Sequence, residues 1–141
     1  MIKYITILLL VTSLQAEIPQ DLINALVQVE SNGDTKAVGD KGNARGVLQL
    51  WAIYIEDVNR IYKTNYTHDD AWHYNNSCEI TELYLTHYGK HYEKMTGKKA
   101  TRKVLARIHN GGPSGYKKKA TLEYWDKVFK VLNKTNIYTT M

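Results

Sequence analysis

Residues 27–33 (VQVESNG), followed at a distance by residues 46–49 (GVLQ), decide the fold of this chain. An apolar helical run brings one carboxylate, Glu30, to its C-terminal end, and Ser-Asn-Gly then ends the helix with residues that tolerate a left-handed cap. A glycine-containing loop leads to the second segment, which we expect to open another apolar helix that carries Gln49. Proteins raise the pKa of an acid by placing it at the mouth of an apolar element, so Glu30 is the candidate proton donor.

The length of 141 residues predicts one domain with its own core. The first sixteen residues have a short basic start at Lys3, an apolar stretch over 5–11 and a polar exit that ends at Ala16. This layout is typical of a secretory signal peptide, and the apolar stretch is too short for a permanent membrane anchor. We therefore expect a signal peptide over 1–16 and a mature, exported domain over 17–141, in the periplasm or outside the cell. A buried N-terminal helix of a cytosolic protein is the alternative.

The formal charge is +5, and removal of Lys3 with the signal leaves 18 basic and 14 acidic residues, or +4. A modest basic excess suits polyanionic partners such as cell-wall polymers. It also suits nucleic acid, but the lysines are scattered and only residues 117–119 form a run, which is typical of a solvated helix start; we expect no nucleic-acid partner. Cys78 is the single cysteine, so no internal disulfide forms, and we expect it to be a small buried residue.

Apolar residues recur at helical spacing along most of the mature chain. The pattern predicts five or six helices, and residues 40–42 predict an irregular loop or small hairpin beside Glu30. The first predicted helix is opened by Pro19 and buries Leu22, Ala25 or Leu26, and Val29; the second buries Leu48, Ala52, Ile55, Val58 and Tyr62. A capped helix start follows at 67–70, then a long helix from Ser77 to Gly97 and a helix over 101–109. The last helix starts at Thr121 and buries Leu122, Trp125, Val128 or Phe129, and Leu132.

Three motifs resemble one family. Glu30-Ser31 followed by residues 46–49 resembles the Glu-Ser…Gly-Leu-Met-Gln signature of the lytic transglycosylase and goose-type lysozyme superfamily. Residues 108–112 (IHNGG) resemble its Tyr-Asn-x-Gly segment, and residues 121–128 (TLEYWDKV) resemble its closing Thr-x-x-Tyr-Val-x-x-Val helix. The order is the same, and the motifs span residues 22–128. The resemblance implies a mainly α, lysozyme-like α+β fold and an enzyme acting on peptidoglycan glycan strands without a cofactor or metal.

The resemblance also implies roles for individual residues. Glu30 matches the catalytic acid/base. Gln49 matches a residue that binds the N-acetyl groups or backbone of the sugar chain, and Ser31 is expected among the substrate-binding residues as well. Asn110 matches a polar residue in the cleft, and Tyr124 matches a tyrosine whose hydroxyl hydrogen-bonds the catalytic glutamate. The residues alone leave other readings open: a solvated surface glutamate, amides that cap helices, and a tyrosine that packs in the core.

Two departures from the family bear on the mechanism. Residues 39–43 (GDKGN) resemble a Gly-Asp-Arg-Gly-Asn run of goose-type lysozymes, in which Asp40 matches an acidic residue proposed to hold the attacking water. A second goose-type aspartate is replaced by Trp51, and the tyrosine of Tyr-Asn-x-Gly is replaced by His109, either a polar cleft residue or a helix-end histidine.

The loss of the second aspartate favours a lytic transglycosylase. In that enzyme one carboxyl group, here Glu30, protonates the oxygen between N-acetylmuramic acid and N-acetylglucosamine and then acts as base. The muramoyl 6-hydroxyl closes onto C1 and gives a 1,6-anhydro product. The alternatives are a hydrolysing lysozyme that uses Glu30 with Asp40, and a catalytically silent glycan-binding or assembly domain. Secretion, conjugation and phage-lysis machineries are all compatible partners.

Two further patterns are weaker. His87 and His91 have a spacing that can bind zinc, but no clear third ligand accompanies them, so a solvated helix face is the better interpretation. Aromatic faces with polar tips suit saccharides, and Trp51 and Tyr54, just beyond Gln49, are the expected groove residues.

Overall fold

The computed structural model describes residues 17–139, and this part of the chain folds into five α-helices and one two-stranded hairpin. In chain order these are α1 (Gln20–Ser31), β1 (Val38–Gly39), β2 (Ala44–Arg45), α2 (Ala52–Tyr62), α3 (Tyr74–Thr96), α4 (Arg102–Gly111) and α5 (Thr121–Thr139), with 3-10 turns at Asp40–Gly42, His68–Trp72 and Gly115–Lys117. The predicted mainly helical class with a small hairpin is confirmed. The predicted signal peptide, residues 1–16, lies outside the described residues. Within the described part, every helix is too short or too polar to cross a membrane.

Helix α1 lies in the centre of the core and packs against both α4 and α5. Leu22 and Leu26 are fully buried, as the periodicity predicts, but Ile23 and Val27 are buried as well. Val29, predicted as a core residue, is only half-buried. Because two helices cover α1, its buried surface is wider than a single amphipathic stripe.

The end of α1 has the predicted left-handed cap. Asn32 has φ 54° and Gly33 has φ 83°, and the Asn32 N–H donates to the carbonyl of Gln28 at 3.1 Å. The Ser31 hydroxyl donates to the carbonyl of Val47 at 2.9 Å. This bond ties the end of α1, and therefore Glu30, to the segment that follows the hairpin.

The prediction of a second helix that starts at Gly46 is wrong. Residues 46–50 form a turn, and Gln49 has φ 49° instead of a helical value. Arg45 and Leu50 pair through two backbone hydrogen bonds of 2.9 and 3.1 Å, which close the turn. Gly46 has φ 74°, and a Cβ atom there would overlap the carbonyl oxygen of Ala71. The close approach of distant backbone therefore leaves no room for a side chain at position 46.

Helix α2 consequently begins three residues after Gln49. Ile55 and Val58 are buried as predicted, and Leu48 is buried from the preceding turn. Ala52, predicted on the same buried face, is exposed, because it begins the helix instead of lying in its second turn.

Helix α3 starts at Tyr74, so Ser77 is a buried residue of its first turn and not its cap. It ends at the predicted Gly97, which has φ 68°. Thr101 caps α4 by accepting a hydrogen bond from the Val104 N–H at 3.3 Å. Cys78, expected to be buried, is half-buried on the first turns of α3.

Helix α5 begins at Thr121 as predicted, but with a rotated face. Tyr124, Val128 and Leu132 are buried, whereas Leu122 is 37% and Phe129 48% exposed. The rotation turns Tyr124 toward α1, where Glu30 lies.

Candidate active site

A cleft of about 1070 Å³ runs across the molecule where α1 and α4 end and α2 begins. Glu30 lies in this cleft, together with residues from the hairpin, α2, α3 and the end of α4. The other lining residues are Gly39, Asp40, Gln49, Leu50, Trp51, Ile53, Tyr54, Glu56, Asp57, Arg60, Tyr84, Tyr88, His109, Asn110, Gly111, Gly112, Pro113 and Lys118.

Two side chains contact one oxygen of Glu30. The Tyr124 hydroxyl donates to Oε1 at 2.7 Å, and His109 Nε2 lies 3.4 Å from the same oxygen. The Glu30 side chain is 17% exposed and that of His109 only 3%. Among the described residues, no side chain or backbone group hydrogen-bonds Oε2. One oxygen of the carboxyl group is therefore held by the protein, while the other is available.

Tyr124 keeps its proton in this position. Burial raises the pKa of Tyr124 well above its ordinary value of 10, and the negative charge of Glu30 and its hydrogen bond raise it further. A phenol with a raised pKa is a permanent donor over the whole physiological range, so it orients the carboxyl group without adding charge.

His109 is itself held from behind. Its Nδ1 lies 3.2 Å from the Tyr54 hydroxyl, and the two rings meet edge to face with centroids 5.6 Å apart. Tyr54 stacks on Tyr84 at a centroid distance of 3.6 Å. Tyr54 was expected to line a sugar-binding groove; the structure places it in the cleft but engages its hydroxyl with His109.

Gln49 lines the cleft on the hairpin side. Its amide nitrogen donates to the carbonyls of Ala37 and Gly46, at 3.1 and 2.9 Å. Both amide hydrogens are therefore used within the protein, and a ligand could engage only the acceptor oxygen. The Gln49 side-chain oxygen lies against Gly39, and a Cβ atom at position 39 would collide with this oxygen.

Asp40 lies at the tip of the hairpin and lines the same cleft as Glu30. It has φ 47°, and the next residue, Lys41, has φ 57°. Two consecutive non-glycine residues in the left-handed region are uncommon, and such strain is concentrated at functional sites. The tight turn is what presents the Asp40 carboxylate at the cleft.

The remaining predicted site residues divide into two groups. Trp51 is 44% exposed at the start of α2 and, like the exposed Asn110 at the end of α4, lines the cleft. Ser31 does not line it. Its hydroxyl donates to the carbonyl of Val47, and its place among the substrate-binding residues stays a prediction.

Sequence reasoning missed the basic residues of the cleft. Lys118, treated as part of a solvated run, donates from Nζ to the carbonyl of Gly111 at 2.6 Å and lines the cleft. Arg60 lies at the far end, paired with Asp57, which also accepts a hydrogen bond from Tyr88. The i,i+3 spacing of Asp57 and Arg60 is the only signal in the sequence, and it is common on helix surfaces.

Among the described residues, no group of three or more histidine, cysteine, aspartate or glutamate side chains is arranged to hold a metal ion. His87 and His91 lie on α3 and belong to no such group in the part of the chain that the structure describes.

The model of the family described as Transglycosylase SLT domain matches residues 9–130. The chain is 31% identical to a lysozyme of Ostrea edulis over 126 residues, which cover 86% of this chain and 87% of that protein. It is 41% identical over 55 residues to a lysozyme of Meretrix lusoria and 49% identical over 41 residues to one of Magallana gigas. These two matches span 45% and 30% of the respective lysozymes, less than half of either.

Similar solved structures have the same fold. A chain in the crystal structure of Aeromonas hydrophila PliI in complex with Meretrix lusoria lysozyme matches with a TM-score of 0.67 and 25% identity, covering 80% of this chain and 89% of that one. The crystal structure of Tapes japonica lysozyme matches with a TM-score of 0.65 and 25% identity, covering 78% and 87%.

Proposed function

Because the chain belongs to the transglycosylase SLT domain family, we propose that it cleaves the glycan strands of peptidoglycan, with Glu30 as the proton donor. The observation that carries this proposal is the environment of Glu30. Its carboxyl group lies in the cleft and is mostly shielded from solvent; Tyr124 holds one oxygen, and no residue from 17 to 139 hydrogen-bonds the other. This is the arrangement that a general acid needs, since the held oxygen fixes the group while the other delivers the proton.

In the first step, Glu30 protonates the glycosidic oxygen between N-acetylmuramic acid and N-acetylglucosamine. The bond to C1 then breaks through a transition state with oxocarbenium character, and the leaving sugar departs with the proton. The Trp51 ring, exposed on the cleft wall, offers a flat apolar face for a sugar ring, and the amide of Asn110 offers a donor and an acceptor.

For the second step, we propose hydrolysis with Asp40 as the second carboxylate. Asp40 lies in the same cleft as Glu30, in a strained turn that presents its side chain there. A second carboxylate either activates water or attacks C1 itself. The similarity to proteins named lysozymes supports this route over the single-carboxylate route that the sequence favoured.

The lytic transglycosylase route is the second candidate. Trp51 occupies the place of the second goose-type aspartate and is exposed on the cleft wall. In this route Glu30 alone acts as acid and then as base, and the muramoyl 6-hydroxyl takes the place of water.

Mass spectrometry of muropeptides released from purified peptidoglycan tests these routes. Hydrolysis gives reducing muramic ends, whereas the transglycosylase route gives 1,6-anhydro ends that are one water lighter. We expect reducing ends, and we expect Asp40→Asn to lower the rate by about 10²-fold or more. Anhydro ends with an active Asp40→Asn variant would establish the second candidate. Binding of glycan strands without any release would favour the silent binding domain.

The proposed substrate also implies a location. Peptidoglycan lies outside the cytoplasmic membrane, so we propose that the protein acts in the periplasm or outside the cell, as the predicted signal peptide over 1–16 implies. A secretion, conjugation or lysis machinery as its setting stays a prediction.

A further inference from the structure

We propose that His109 is a positioning residue, which holds Glu30 by the same oxygen as Tyr124 and so selects the other oxygen as the one that delivers the proton. This inference rests on the proposed function of Glu30 as general acid. It concerns a position at which the chain departs from the family motif, where His109 stands in place of the tyrosine.

The contacts at Glu30 are one-sided. Tyr124 Oη and His109 Nε2 both approach Oε1, at 2.7 and 3.4 Å, and among the described residues nothing hydrogen-bonds Oε2. Two N–H or O–H donors that point at one oxygen favour electron density on that oxygen. The proton of the acid form therefore resides on Oε2, and Oε1, which accepts the Tyr124 hydrogen bond and lies 3.4 Å from His109 Nε2, keeps its carbonyl character.

Tyr54, on the other side of the imidazole, determines whether the nitrogen that faces Glu30 carries the ring hydrogen. The Tyr54 hydroxyl lies 3.2 Å from Nδ1. Burial raises the pKa of Tyr54 well above its ordinary value, so this phenol keeps its hydrogen. In our assignment the hydroxyl donates to Nδ1, and the ring hydrogen of His109 then lies on Nε2, on the side of Oε1.

The surroundings of His109 identify its role as positioning. The side chain is 3% exposed, between Tyr54 at one nitrogen and Glu30 at the other. Its ring also lies 6.4 Å from that of Tyr124, at an interplanar angle of 37°. Because the two nitrogens already face Tyr54 and Glu30, we assign the effect of His109 on the reaction to its contact with Glu30.

Two substitutions of similar size separate the nitrogens of the imidazole. The amide nitrogen of glutamine reaches the place of Nε2, and that of asparagine reaches only the place of Nδ1. We expect His109→Gln to keep kcat within about fivefold, since a donor to Oε1 is retained. We expect His109→Asn to lower kcat by about 10- to 100-fold, because the donor that faces Oε1 is lost, with KM unchanged.

Tyr54→Phe supplies a second readout through a double-mutant cycle. In the otherwise unmodified protein, Tyr54→Phe removes the donor to Nδ1, so the ring hydrogen of His109 is no longer fixed on Nε2, and we expect kcat to fall several-fold. In the His109→Gln background no Nδ1 exists, and Tyr54→Phe should have no further effect on kcat. A residue that only fills space would give additive effects in the cycle.

The measurements are kcat and KM on purified peptidoglycan, with the thermal unfolding midpoint of each variant. Equal losses in the two His109 variants that follow their unfolding midpoints would mean that His109 is a packing residue. A folded but inactive His109→Gln variant would mean that the imidazole itself transfers protons, which also overturns positioning. An active protein that is indifferent to all three substitutions overturns this inference alone, whereas an inactive unmodified protein overturns the proposed function with it.

Discussion

The Glu30 carboxyl group is placed by residues that are far apart in the chain. Glu30 belongs to the last turn of α1, Tyr124 to the first turn of α5, and His109 to the end of α4. Both partners are buried, and both act on the same oxygen. A carboxyl group with one oxygen held by the protein and the other accessible to a ligand is pre-organised for proton transfer, because little reorganisation is needed when the substrate binds.

Tyr124→Phe tests this placement at a single atom. The ring keeps its packing in the core, but Oε1 loses the donor at 2.7 Å. We expect kcat to fall by about 10-fold, equivalent to about 1.4 kcal/mol, while KM stays unchanged. Tyr116→Phe is the matched control, since Tyr116 is partly buried against Tyr92 and does not line the cleft. Equal losses in the two variants would contradict the role of the Tyr124 hydroxyl.

At the scale of the elements, the sequence predicts features that depend on local signals and misses those that depend on long-range contacts. The ends of α1 and α3 were predictable, because Asn32 and Gly97 stop a helix by their own backbone preferences. The segment after Gly46 was not, because Gly46 lies against the carbonyl of Ala71, 25 positions along the chain, and no local pattern reports that contact. Apolar spacing indicates which residues are buried. At Leu48 it correctly predicted burial but wrongly predicted a helix.

The candidate site shows the same division. Of the residues that the sequence motifs carry, Glu30, Gln49 and Asn110 are among those that line the cleft, whereas Ser31 and Tyr124 are not. Lys118 and Arg60 line it without any motif, because their position depends on how the end of α4 and the helix α2 meet across the cleft. A list of motif residues therefore captures the centre of the cleft and omits its ends.

Gly46→Ala and Gly33→Ala form a matched pair for the turn after the hairpin. Both glycines have positive φ, at 74° and 83°, but a methyl group at position 46 would overlap the carbonyl of Ala71, whereas position 33 is open. We expect Gly33→Ala to lower the free energy of unfolding by about 1 kcal/mol and Gly46→Ala by about 3 kcal/mol. Chemical denaturation measures both. Similar losses would mean that the close approach at position 46 is not what holds the turn.

The 3-10 turn at His68–Trp72 predicts a pH-dependent contribution to stability. Asp70 accepts hydrogen bonds from the backbone N–H and hydroxyl of Thr67, at 2.6 and 3.0 Å, and the N–H bond is the main reason that its pKa lies below the ordinary value of 3.8. Because the folded state favours the ionised form, this stabilisation is present above the unfolded pKa and is lost as the pH falls through the lower, folded pKa.

Asp70→Asn should therefore destabilise the protein by about 1 kcal/mol at neutral pH, and the difference should shrink as the pH falls below about 3.9. Unfolding by denaturant at several pH values measures it. The control is Asp69→Asn, which removes only a surface ion pair of 2.8 Å with Arg45 and should change stability by less than about 1 kcal/mol. A pH-independent loss in Asp70→Asn would refute the assignment.

At the scale of the whole molecule, the charge of the protein and that of its cleft are opposite. The chain carries a formal charge of +5, yet the described residues of the cleft include four carboxylates, those of Glu30, Asp40, Glu56 and Asp57, and two cations. The basic residues therefore lie mainly outside the cleft. Such a distribution attracts the protein to an anionic polymer surface without placing positive charge beside the reacting bond.

This distribution predicts two different responses to salt. The apparent KM on intact, anionic cell walls should rise several-fold between about 0.05 and 0.5 M salt, as screening shortens the Debye length below about 10 Å. Cleavage of short oligosaccharides, whose only charges are the carboxylates of their N-acetylmuramic acid units, should change less over the same range. A salt dependence on these oligosaccharides equal to that on walls would contradict the separation between surface and cleft.

The central claim is that Glu30 is the proton donor of a peptidoglycan-cleaving enzyme, and Glu30→Gln tests it most directly. Glutamine preserves the shape of the side chain and can still accept the hydrogen bond from Tyr124, but it has no acidic proton. The measurement is the rate at which muropeptides are released from purified peptidoglycan by the unmodified protein and by this variant, with folding checked by thermal unfolding. We predict a loss of about 10²- to 10⁴-fold with an unchanged fold. Release at the unmodified rate by a folded Glu30→Gln protein would contradict the account.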